Sequence, residues 1–177
     1  MINLYHTTTK HGHTSLIPKS SNHFGLKFPQ PVVWAIERES IPMFLFPHNC
    51  PRICFQLTSK TTSEDKHRYI TESSAKRIII IEKKWFEILQ NQSLYQYELK
   101  TSDFKLVDKG LGLYISVKNT PIINQKSIAN PLTELLNHNI ELRITPTLWK
   151  AFDNLSKSSY QTFFINLKNA SPRMIFE

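Results

Sequence analysis

A chain of 177 residues with 40 % hydrophobic side chains can bury one sizeable core and is too short for two ordinary domains. Its 20 % charged fraction and eleven Phe, six Tyr and three Trp exclude a disordered chain, and only two cysteines, Cys50 and Cys54, exclude a disulfide framework. A formal charge of +8 favours an anionic partner, a nucleotide or a nucleic acid, although the basic residues are scattered and form no arm.

The pattern predicts a short strand over 2–7 and a polar loop over 8–30, in which His11 and His13 are taken as incidental. Val32 to Ile36 is an apolar run between Pro31 and Glu37-Arg38-Glu39, which suits a buried strand. A short helix follows, with Ser40 as its cap, Pro42 in its first turn and Pro47 as its stop. Arg52 to Thr58 is read as a strand and Thr58 to Lys66 as a polar, mobile connection. Arg77 to Glu82 holds four successive isoleucines, the mark of a strand buried on both faces.

Lys83 to Asn91 changes to helical spacing, with Trp85, Phe86, Ile88 and Leu89 as one apolar face. Leu94 to Leu99 alternates Tyr95, Tyr97 and Leu99 against Gln96 and Glu98, as a half-exposed strand does. Gly110-Leu111-Gly112 is a turn ahead of a strand over Leu113 to Val117, without the Lys-Ser or Lys-Thr of a phosphate loop. Asn130-Pro131 opens a helix to His138, Ile140 to Thr145 is a strand, and Thr145-Pro146 repeats the capping device before a helix through Trp149 and Phe152. Tyr160 to Leu167 is aromatic and extended. Strands outnumber helices and the two mix along the chain, so the fold class is a single α+β domain, 1–177, around a central, mainly antiparallel or mixed sheet.

Several chemistries lose their usual support. His48, Cys50 and Cys54 are one ligand short of a structural zinc site, so no metal is expected. No Gly-x-Ser-x-Gly elbow or His-Glu-x-x-His helix occurs. There is no opening apolar segment and no apolar run of about 18 residues, so the expectation is a cytoplasmic protein with no membrane span.

What remains is a strand bearing a His ring and threonine hydroxyls, His6 and Thr7, beside an aromatic strand with Trp34. That is one way to grip a flat, ribose-bearing ligand. Arg52, at a strand start, suits a pyrophosphate. Glu141 and Arg143 lie two apart on a strand and so share a face, where a carboxylate can orient a ribose hydroxyl and a guanidinium can neutralise phosphate; an exposed ion pair is the plainer alternative.

Two resemblances add to this. Val33-Trp34-Ala35, Leu45-Phe46-Pro47 and Cys50-Pro51-Arg52, with Leu94 to Tyr97, Gly112 to Ser116, Glu141 to Arg143 and Leu148-Trp149, resemble a small bacterial domain family of unknown function over nearly the whole chain. Tyr5-His6-Thr7-Thr8 is similar to the first strand of ADP-ribosyltransferases. That second resemblance implies an ADP-ribosyltransferase-like fold and NAD as cofactor. His6 would hold the ribose, Trp34 would replace the usual Tyr against nicotinamide, and either Glu98 or Glu141 would be the catalytic carboxylate acting on a ribose hydroxyl. The function expected is an NAD-using enzyme that modifies a protein or nucleic acid, with a non-catalytic nucleotide- or nucleic-acid-binding module as the alternative.

Overall fold

The computed structural model describes residues 2–20, 22–23, 26–69 and 73–173. In chain order the first strands are β1 (Leu4–Thr8), β2 (Ser15–Leu16), β3 (Asn22–His23), β4 (Leu26–Lys27) and β5 (Val33–Glu37). A 3-10 helix, Arg38–Phe44, leads into β6 (Arg52–Gln56), α1 (Ser63–Tyr69), β7 (Arg77–Glu82) and α2 (Lys83–Gln90). Then come β8 (Leu94–Leu99), β9 (Lys105–Asp108), β10 (Leu113–Ser116), β11 (Thr120–Ile128) and α3 (Pro131–Asn137). The last elements are β12 (Ile140–Thr145), α4 (Trp149–Leu155), β13 (Gln161–Ile165) and a final 3-10 turn, Leu167–Asn169.

The architecture is α+β. A seven-stranded antiparallel sheet has the order β2-β11-β8-β1-β5-β10-β9, and a four-stranded mixed sheet has the order β12-β7-β6-β13, with β12 parallel to β7. β3 and β4 pair only with each other. The two larger sheets share one core: Tyr5, Ile36, Leu94 and Leu113 of the seven-stranded sheet meet Cys54, Ile79, Ile81 and Ile165 of the four-stranded one. The four isoleucines of β7 show why that strand reads so clearly. Ile79 and Ile81 enter this core, while Ile78 and Ile80 enter a second one closed by Leu148 and Leu155 at α4. Burying each such side chain stabilises the fold by about 1.5–3 kcal/mol.

Some local expectations are corrected. The 3-10 helix starts at Arg38, two residues ahead of Ser40, which is buried inside it and is not its cap. The stretch 58–66 is not wholly a connection, because α1 begins at Ser63; a helix polar all round carries no periodic signal. Ile88 is exposed, so the buried face of α2 is Leu89 with Trp85 and Phe86 at its margin. Asn130 does cap α3, its Oδ1 accepting from Thr133 N at 3.1 Å, but Thr145-Pro146 gives no matching cap; α4 starts after Leu148 without a side-chain bond. Among the described residues no helix is long and apolar enough to cross a membrane.

Candidate functional site

β1 is built for the interior at one end and for a cavity at the other. Leu4 and Tyr5 pair with Glu37 and Ile36 of β5, and the ladder ends there, although β1 goes on pairing with β8 as far as Thr8 opposite Tyr95. Beyond Tyr5 the two strands part. The His6 ring takes over the connection: its Nδ1 donates to the carbonyl oxygen of Trp34 at 2.9 Å, and the two rings lie 4.2 Å apart between centroids, tilted by 47°. A carbonyl only accepts, so the bond fixes the proton on Nδ1 and, in the neutral ring, makes Nε2 the acceptor.

The parting opens a cavity of about 500 Å³. His6, Thr7 and Trp34 line it, as do Val32, Val33 and Leu16, which make part of its wall apolar. The loop that follows β1 contributes Lys10, His13, Ser15, Lys19 and Ser20, and His48 comes from the segment before β6. Among the described residues no carboxylate lines it. Thr7 is 93 % buried by its 7 % exposure, and its hydroxyl oxygen has no hydrogen-bond partner among the described residues.

Trp34 is held from behind. Its ring packs on Phe44 at 5.6 Å between centroids, and the Arg52 guanidinium lies 5.7 Å from Phe44 and 5.1 Å from Phe46. Arg52, expected to meet a pyrophosphate, is buried and donates to the carbonyl oxygens of Met43 at 2.6 Å and Cys50 at 2.8 Å. It does not line the cavity; it braces the aromatic platform there, and burial lowers its pKa.

The acidic candidates lie elsewhere. Glu98 sits on β8 opposite Tyr5 and Asn124, outside the cavity lining. Glu141 and Arg143 belong to β12 in the four-stranded sheet and form an ion pair, Arg143 Nε to Glu141 Oε1 at 2.6 Å. Burial pushes the Glu141 carboxyl up, but hydrogen bonds from Ser73 and Arg143 and the Arg143 charge outweigh it and hold the pKa below the usual value. Arg143 borders a second, smaller hollow of about 330 Å³ with Phe55, Ile80 and Lys150. The structure thus gathers His6, Thr7 and Trp34 and leaves Arg52, Glu98, Glu141 and Arg143 out of that cavity. Lys10 and Lys19 escaped the sequence reading, which took His13 as incidental and weighed His48 only as a zinc ligand, because nothing in their spacing shows the chain after β1 folding back over it.

Cys50 and Cys54 are free and buried, and burial pushes their pKa values up to about 12 and about 11. Among the described residues no three His, Cys, Asp or Glu side chains come together as a metal site.

The fold and site define an α+β domain with a basic, hydroxyl-rich cavity where two strands of its larger sheet separate. The chain belongs to the family of unknown function DUF6886, which matches residues 5–170. No curated protein and no solved structure matches it.

Proposed function

We propose that the cavity at His6 and Trp34 binds NAD or a closely related nucleotide. The observation that carries this reading is the His6–Trp34 pair, a polar ring bonded and packed at 4.2 Å against an indole in the wall of a cavity of about 500 Å³. Cavities of this size suit small-molecule ligands, and an aromatic wall with a few placed polar groups suits a flat base beside a ribose. The similarity of Tyr5-His6-Thr7-Thr8 to ADP-ribosyltransferases supports NAD as the nucleotide.

The ligand's fate is recognition rather than transfer. A transferase of the resembled kind needs a carboxylate at the ribose, and the lining supplies none among the described residues. Titrating the protein with NAD while following Trp fluorescence, and assaying the same samples for nicotinamide, tests both parts. Saturable quenching without nicotinamide release supports the binding module. Release of nicotinamide restores the enzyme that modifies a protein or nucleic acid, and absence of any binding removes the NAD reading.

A further inference from the structure

We infer that Lys10 and Lys19 form a phosphate clamp at the rim of this cavity, so that it takes phosphorylated nucleosides in preference to free ones. The inference rests on the nucleotide reading above and names the part of the ligand that reading leaves open. Both lysines line the cavity, and neither makes an ion pair with a carboxylate among the described residues. With no acid lining the cavity among the described residues, no carboxylate there offsets their charge.

The loop that carries them is built in place. The buried Tyr97 of β8 donates its hydroxyl to the carbonyl oxygen of Lys10 at 3.0 Å and accepts from the backbone N–H of His13 at 3.5 Å. Further along, β2 pairs with β11, and Lys19 and Val32 exchange two backbone bonds of 3.0 and 3.1 Å. Val32 immediately precedes β5 and its Trp34, so one lysine is anchored beside the aromatic wall and the other at the end of β1. A clamp whose backbone is already ordered loses less entropy on binding than one on a slack loop. The arginines suited by chemistry to this task are both engaged, Arg52 on buried carbonyl oxygens and Arg143 on Glu141.

The test uses two matched pairs, nicotinamide mononucleotide against nicotinamide riboside and AMP against adenosine, each titrated into the wild type and the double variant Lys10→Gln/Lys19→Gln. The wild type is expected to bind the phosphorylated member of a pair about tenfold more tightly, with the advantage shrinking as salt is raised. The double variant should lose that advantage, bind the nucleosides unchanged and melt at the wild-type temperature. A phosphate advantage that survives in the variant overturns the assignment to these lysines. No advantage in the wild type overturns the clamp and leaves a nucleoside pocket, whereas no binding of all four compounds removes the clamp and the nucleotide reading together.

Discussion

His6 Nδ1 and the carbonyl oxygen of Trp34 lie 2.9 Å apart where the ladder between β1 and β5 ends, so a side chain continues the connection that the backbone abandons. The bond ties the two strands together in the wall of the cavity. His6→Ala removes it together with one of the two packed rings. The expected cost in stability is about 1 kcal/mol, the usual net worth of one such hydrogen bond, while the proposed NAD binding weakens about tenfold or more. Chemical denaturation and titration of the same variant check this, and a loss of stability with unchanged affinity would show that the ring serves the fold alone.

Thr7 places a hydroxyl in a buried position where no described group bonds it. An unsatisfied buried hydroxyl costs about 1–3 kcal/mol, and valine has the same shape without that cost. Thr7→Val should therefore raise the denaturation midpoint of the ligand-free protein, a direction few buried substitutions take. A lowered midpoint means that the hydroxyl has a partner in solution.

Glu141→Gln and Glu98→Gln are both expected to leave NAD binding intact, since neither carboxylate lines the cavity. The Glu141 side chain is 32 % exposed beside Arg143, so solvent screening limits the stability change to about 1 kcal/mol or less. Its sign with pH follows from the lowered pKa: the contribution is present above the ordinary value of 4.5 and is lost as pH falls through the folded value. Melting curves of wild type and Glu141→Gln should accordingly converge below pH 4.5, and a gap that widens there would contradict the ion pair.

The two thiols, raised to about 12 and about 11 and buried, should not react with a disulfide reagent at pH 8 in the native protein. Both should react once denaturant is added. Labelling of either in the folded state would place it nearer the surface than the core packing allows.

Which parts of this were legible in the sequence follows from burial. β7, β8 and β12 were bounded correctly because isoleucine runs or strict alternation record one or two buried faces. β11 left no such record: its nine residues, from Thr120 through Pro121 to Ile128, are mostly exposed and polar, and its pairing with β8 and β2 makes it a strand. β9 is exposed in the same way. His6 stood out on a strand that carries threonine hydroxyls, and Trp34 stood out in an apolar one. Lys10 and Lys19 gave no sign, since Lys10 is held by Tyr97, more than 80 positions away, and Lys19 by its backbone pairing with Val32. Alternation put Glu141 and Arg143 on one face and left open whether they pair or hold a ligand; the structure pairs them, and which cavity a strand borders is a property of sheet order, invisible to spacing.

Asn166, left-handed at φ 55°, follows the last strand and donates from its amide to the carbonyl oxygen of His48 at 3.0 Å, while Asn169 does the same for Asn49 at 2.9 Å. The wall bearing His48 is thus pinned by a stretch of chain made more than 110 residues later. During synthesis that wall gains these two bonds only after Asn166 and Asn169 have left the ribosome. A chain that stops short of Asn166 can hold most of the larger sheet and still lack the bond that ties the His48 side of the cavity to the last strand.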